Sequence, residues 1–117
     1  MVNAINDPPP TPRLLKPDSG ELILVRDPSL SASNPTDVEG DAVFLHFEVA
    51  TDEAFSDLLY TSEPLPLNQV STSTTWHPSQ QLVWGGSYFA RVYATDSGGA
   101  QSEMSNVHDF RIKENQL

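Results

Sequence analysis

The side chains with most chemical potential in this 117-residue chain sit in a few short stretches. In "DSGG", Asp96 to Gly99, a serine hydroxyl lies between a carboxylate and two glycines, the kind of surroundings a serine nucleophile has in some hydrolases. Such a nucleophile needs a base within hydrogen-bond reach, an acid to orient that base, and donors for the developing oxyanion. His46, His77 and His108 are the nominal bases, but they are far apart in the chain and form no local metal motif either. In "DVEGD", Asp37, Glu39 and Asp41 alternate along the chain and offer hard oxygens to calcium, which takes about six to eight oxygen ligands. The spacing lacks the terminal glutamate of a calcium-hand loop, so a solvated acidic turn bent at Gly40 is preferred, with calcium as the one candidate cofactor. Asp52 and Asp96 would add ligands if their loops converged with it.

A third constellation depends on two strands pairing. In "VFLHFEVA", Val43, Leu45, Phe47 and Val49 share one face and Phe44, His46 and Glu48 the other. In "SYFARVYAT", Tyr88, Ala90, Val92 and Ala94 share a face opposite Phe89, Arg91, Tyr93 and Thr95. If the two pair, the outward face holds Phe44, His46 and Glu48 beside Phe89, Arg91 and Tyr93, joined by Asp109 and Arg111 of a last strand. Arg91 would then lie between two aromatics and near Glu48 or Asp109, held by cation–π and ionic contacts. Such ladders usually serve the sheet alone, yet aromatics beside fixed polar groups also suit a sugar ring or a neighbouring module. Trp76 and Trp84 read as core plugs at the two ends of the domain.

The elements that would position these residues are short strands between turns. Turn chemistry recurs at "KPDSG", "RDP", "SNPTDVEGD", "SEPLP", "HPSQQ", "WGG" and "DSGG", the pattern of an all-β sandwich or small barrel. Besides the two long segments, weaker strand candidates span 13–16, 21–25, 28–33, 56–62, 71–77 and 106–113, with Phe110 and Ile112 facing inward. "TDEAFSD" offers a helical start capped by Thr51 or Asp52, too short to alter the fold class. The "DSGG" letters match the nucleophile segment of trypsin-like proteases, but here they stand between two strands, where Asp, Ser and Gly supply the conformations a hairpin turn requires. A turn is therefore expected, and no enzyme.

Composition narrows the partners. The chain is long enough for one core and too short for two ordinary domains. Six Lys and Arg against 16 Asp and Glu give a formal net charge of −10. Binding a polyphosphate requires clustered cations, so nucleic acid and anionic membrane surfaces are poor partners. No apolar run is long enough for membrane insertion. Cysteine is absent, which excludes disulfides and thiolate metal sites. Residues 1–12 hold four of the ten prolines and read as a proline-rich interdomain linker, followed by a sandwich over 13–113 and a tail at 114–117. Met1 is followed by "VNAINDPPPTP" rather than a basic and apolar leader, so a signal peptide is not in this fragment, which is expected to be an interior piece of something longer.

The stretch "LVWGGSYFARVYATDSGGAQSEMSNVHDFRI" resembles the last two strands of fibronectin type III and related bacterial immunoglobulin-like modules. The resemblance rests on Leu82, Tyr88, Ala90, Val92, Ala94, Gly98, Ser102, Ser105, Phe110 and Ile112. "PRLLKPDSGE" is similar to the proline-flanked first strand, and "NPTDVEGDAVFLHFEVATDEAF" to the acidic loop and third strand, so it covers roughly 12–113. The usual second-strand tryptophan is missing from "PSLSAS", where Leu30 or Ala32 must fill the space, and no "RGD" occurs. The resemblance implies an all-β, immunoglobulin-like, fibronectin type III-like seven-stranded antiparallel β-sandwich. It also implies that Tyr88 lies in the core with its hydroxyl bonded to nearby backbone, fixing the turn after Leu82. The expected role is a non-catalytic structural or interaction module of a larger bacterial protein, extracellular or at the cell surface. Its partners would be neighbouring domains of the same chain, another surface protein or a polysaccharide, and it is expected to be monomeric. The alternative is a carbohydrate- or calcium-binding accessory module attached to a secreted enzyme.

Overall fold

Short β-rich segments punctuated by Gly, Pro and Asp become nine strands in the computed structural model, which describes residues 8–35, 42–68 and 70–115. These are β1 (Leu14–Lys16), β2 (Glu21–Ile23), β3 (Leu30–Ser33), β4 (Val43–Ala50), β5 (Leu58–Thr61), β6 (Leu65–Pro66), β7 (Ser73–Trp76), β8 (Ser87–Asp96) and β9 (His108–Ile112). One sheet has the order β1-β3-β7, the other β2-β9-β8-β4-β5, with β6 also paired to β4. The two sheets face one another across a core drawn from both.

Period-2 alternation places that core. Val43, Leu45, Phe47 and Val49 of β4 and Tyr88, Ala90, Val92 and Ala94 of β8 are buried, with Phe110 and Ile112 of β9 beside them. Leu14, Leu30 and Ala32 of the smaller sheet are fully buried opposite. Each large apolar side chain so buried contributes about 1.5–3 kcal/mol, offset by the entropy of ordering the chain.

The ladders explain why three serines are buried. β4 flanks β8 from Phe89 to Asp96, but β9 stops opposite Ala90, leaving the far half of β8 with one unpaired edge. Residues 101–107 run along that edge, and their serines complete it. The Val92 N–H donates to Ser105 Oγ (2.9 Å) and the Ser105 N–H returns to the Val92 carbonyl (2.9 Å). Ala94 and Ser102 repeat the arrangement at 2.9 and 2.8 Å, and Phe47 with Ser62 does so on β4 at 2.9 and 2.8 Å. A buried N–H left without a partner costs about 1–3 kcal/mol. Ser105→Ala is accordingly expected to lower the unfolding free energy by about 1–3 kcal/mol in urea denaturation and to speed amide exchange at Val92, whereas an exposed serine such as Ser97 replaced by Ala should change neither.

The structure departs from the expected strand list in definite ways. Nine described strands replace seven, because the first is divided between the sheets as β1 and β2, and the 58–66 region divides into β5 and β6. The sheets are not wholly antiparallel: β2 runs parallel to β9, with Glu21 opposite Phe110 and Ile23 opposite Ile112. No helix forms at "TDEAFSD", which is a tight turn. Pro9 and Pro12, inside the expected linker, are buried, while residues 1–7 lie outside the described residues.

Candidate functional site

Pairing of β4 with β8 brings the outward residues together as expected: Phe44 lies opposite Thr95, His46 opposite Tyr93, Glu48 opposite Arg91 and Ala50 opposite Phe89. The His46 and Tyr93 rings stack at 4.6 Å between centroids and 4° between planes, and His46 Nε2 pairs with Thr95 Oγ1 at 2.8 Å. Arg91 Nε donates to Glu48 Oε1 at 2.7 Å. Arg91 stands between Phe89 and Tyr93 on this face of β8. Its cation–π partner is Phe55, whose ring centroid is 4.0 Å from Arg91 Cζ. Asp109, the other anion considered for Arg91, instead accepts from Ser19 Oγ at 3.2 Å.

Phe55 reaches this position through the turn after β4. The Asp52 carboxylate accepts from the Ser56 amide and hydroxyl and from the Asp57 amide, while the Phe55 N–H donates to the Asp52 carbonyl at 3.1 Å. The Ser56 hydroxyl, followed by the Asp57 amide, holds the Asp52 carboxyl below its ordinary range. The turn leaves Phe55 at φ 57°, a left-handed conformation unfavourable for an aromatic residue. Burial of the ring over Arg91 offsets that cost, as Phe55 is buried. The sequence carried a signal for this, an Asp four residues ahead of a Ser around an isolated Phe, but its reading as a helical start hid the aromatic's role.

Two groups of the face are shifted, in opposite directions: burial raises the Tyr93 phenol and lowers the His46 imidazole. Partial burial penalises the charged His46 imidazolium more than the nearby Glu48 favours it, so its pKa lies below the ordinary 6.5. The unfolded chain therefore takes up a proton at His46 before the folded one does. The contribution of the neutral ring is complete above pH 6.5 and is lost as pH falls from there through the lowered folded value. Thermal unfolding midpoints should decline across that window in the parent protein, and the decline should be shallower in His46→Asn.

The nucleophile reading dissolves into turn geometry. Asp96 Oδ1 accepts from the Gly98 and Ala100 amides at 3.0 and 2.9 Å, and Gly99 sits at φ 93°. Among the described residues no histidine bonds to Ser97. One histidine does meet another serine: His77 Nδ1 lies 2.7 Å from Ser29 Oγ. Both are exposed, and among the described residues no carboxylate bonds to His77. His108 is used structurally: its Nδ1 donates to the Pro17 carbonyl at 2.7 Å and its Nε2 accepts from Asn106 Nδ2 at 3.0 Å.

Asp37, Glu39 and Asp41, the calcium candidates, lie outside the described residues. Their proposed helpers are divided: Asp96 pairs with Val43 at the start of β4, whereas Asp52 follows its end. Eight extended residues at about 3.3 Å each put these carboxylates at opposite ends of the sandwich. No group of three metal-ligating side chains occurs among the described residues.

At the other end of β8 the Tyr88 hydroxyl accepts from the Val83 N–H at 2.9 Å and its ring meets Phe110 at 5.8 Å, fixing the turn after buried Leu82. Both tryptophans are only partly buried, packed against the core rather than sealed within it. Trp84 carries Arg26 and Lys113 over its ring at 5.5 and 5.7 Å. Trp76 meets Phe47 and Tyr60 at 5.9 and 5.5 Å and lines a cleft of about 380 Å³ with Tyr60, Glu63, His77 and Gln80. Burial pushes the Tyr60 phenol up to about 12, so it stays neutral at ordinary pH.

Two facing sheets in this order define an immunoglobulin-like β-sandwich. No family model matches the sequence, and no curated protein does. Solved structures do match in fold. The PKD domain of an M14-like peptidase from Thermoplasmatales archaeon SCGC AB-540-F20 aligns with a TM-score of 0.59 at 19% identity, over 94% of this chain and 100% of that one. CopC from Methylosinus trichosporium OB3b aligns at 0.57 and 13% identity, over 91% and 97%. Streptomyces avermitilis α-L-rhamnosidase aligns at 0.56 and 18% identity, over 87% of this chain and 10% of the enzyme. At these identities the likeness is one of fold, shared with domains of larger enzymes and not confined to fibronectin type III modules.

Proposed function

We propose that the chain is a non-catalytic module that spaces and presents neighbouring domains of a larger protein, extracellular or at the cell surface. The observation that carries this reading is the path of the chain from one pole to the other. Successive contacts of the first strands climb β9 in step: Leu14 bonds Asn106, Pro17 bonds His108, Gly20 bonds Asp109, and Glu21 and Ile23 pair with Phe110 and Ile112. The chain therefore enters from the Asp96 end of β8 and leaves at the Ser87 end, beside Gly85, which donates to the Ile112 and Lys113 carbonyls at 3.1 and 2.9 Å. Strands traversed in this way hold two flanking segments apart, as a spacer must. The division into β1-β3-β7 and a larger β2-β9-β8-β4-β5 sheet also supports a fibronectin-type module.

Because the chain has no cysteine, Thr11→Cys/Asn115→Cys can be spin-labelled cleanly. Electron–electron distance measurement should give one narrow distribution at about 30 Å or beyond, from the rise of the strands between them. A centre below about 20 Å would contradict the pole-to-pole reading.

A second reading, a saccharide-binding accessory module, is favoured by the Trp76 cleft, where an indole adjoins Glu63, His77 and Gln80. Tryptophan fluorescence of Trp84→Phe should then respond to millimolar oligosaccharide. No response across hexose and deoxyhexose oligomers removes that reading.

A further inference from the structure

The pole where the chain leaves differs chemically from the rest of the molecule. β2 is an outer strand, bonded to β9 on one side, and the residues it carries outward are apolar: Leu22 is 49% exposed and Leu24, just beyond it, 65%. Val83, at the same pole, is 63% exposed. Arg26, Arg111 and Lys113 gather here, half of the six Lys and Arg in a chain of net charge −10. They are held in place: Arg26 Nε donates to the Leu82 carbonyl at 2.7 Å, the Leu82 N–H returns to the Arg26 carbonyl at 2.7 Å, and both Arg26 and Lys113 lie over Trp84. Leu22, Leu24, Arg111 and Lys113 line a groove of about 420 Å³ whose one carboxylate is Glu114.

We infer, resting on the module reading above, that this pole docks the adjacent module of the longer chain, and that the docked surface is acidic with an apolar side chain that seats beside Leu22 and Leu24. Charge complementarity selects the acidic face, since the cations are concentrated where the rest of the molecule repels anions. A twofold pairing with a second copy through the same pole is disfavoured because it would set Arg111 and Lys113 against their own counterparts. Continuity with Asn115, where the chain departs, selects a tethered neighbour: a covalent link supplies millimolar effective concentration, so a modest patch suffices.

The test uses the intact 117-residue protein and a peptide probe of stated chemistry, the acidic stretch 34–43 of this chain, which carries Asp37, Glu39 and Asp41 around Val38. Amide shifts on titration should be confined to residues 22–26, 83–85 and 111–114. Binding should weaken at least about fivefold between roughly 0.05 and 0.3 M salt, as screening shortens the reach of the cations. Leu24→Asp and Arg111→Glu should each abolish the shifts with an unchanged Tm, because both side chains are exposed. The inference is overturned if shifts fall elsewhere, if a peptide with the three acids replaced by their amides binds equally, or if a sulfated oligosaccharide displaces the peptide from the same residues at lower concentration. The spin-label distance does not depend on docking, so the spacer reading and the docking surface can fail separately.

Discussion

Glu48→Ala is expected to lower the unfolding free energy by about 2–3 kcal/mol. The Glu48 and Arg91 side chains retain 11% and 23% of their exposure and meet at 2.7 Å under the ring of Phe55. Removing one member of a mostly buried pair leaves the other charge without compensation, which costs about 3–5 kcal/mol when fully buried and less with residual solvent access. Replacing both members, Glu48→Leu with Arg91→Met, strands no charge and should cost less than Glu48→Ala alone. Urea denaturation of the three proteins decides the matter: if the single substitution costs under about 0.5 kcal/mol, solvent rather than Glu48 neutralises Arg91. Phe55→Ala should weaken the same pair without touching either charge.

Gly86→Ala should cost about 2–4 kcal/mol although it adds only a methyl group. A Cβ at Gly86 would lie 2.6 Å from the Tyr88 hydroxyl and 2.8 Å from two carbons of its ring. That ring cannot retreat easily, because Tyr88 is 4% exposed, packs on Phe110 and holds the Val83 amide. Overpacking of this kind costs about 1–3 kcal/mol, and a displaced hydroxyl forfeits about 1 kcal/mol more. Tyr88→Phe alone should cost about 1 kcal/mol, and the pair of substitutions should cost less than their sum, since removing the hydroxyl relieves the shortest contact. Gly99→Ala serves as the contrast: it meets no atom within 4 Å and carries only the strain of φ 93°.

Which parts of this were legible beforehand follows from what each interaction depends on. The inward faces of β4 and β8 were readable because alternation is a local property: once Val43 or Tyr88 faces the core, geometry sends every second side chain the same way. That His46 and Glu48 share an outward face with Arg91 and Tyr93 was readable too, but the register that sets His46 opposite Tyr93 and Glu48 opposite Arg91 came with the structure. The Tyr88 anchor was readable through resemblance, from a leucine, a glycine-bearing turn and a tyrosine in fixed spacing. The role of Phe55 was not, because it needs a left-handed residue in a turn to be carried back over a strand distant in the chain.

Other features depended on where strands end rather than on what they contain. Ser62, Ser102 and Ser105 look like loop residues; Ser102 and Ser105 are buried because β9 stops opposite Ala90 and a neighbouring segment must supply the missing acceptors, and Ser62 because it does the same for Phe47 between β5 and β6. The parallel pairing of β2 with β9, and the division of the first strand between two sheets, leave no trace in a run of three residues.

Residue order alone settled the all-β class, the inner ribs and the turn character of "DSGG", because alternation and turn preference act within a few neighbouring residues, while the choice of a sandwich over a barrel rested on the resemblance. The partner of Arg91, the serine-completed edge of β8 and the gathering of Arg26, Arg111 and Lys113 at one pole came only with the folded chain. Those contacts join residues tens of positions apart, and their distance is set by strand ends and register, which no local pattern encodes.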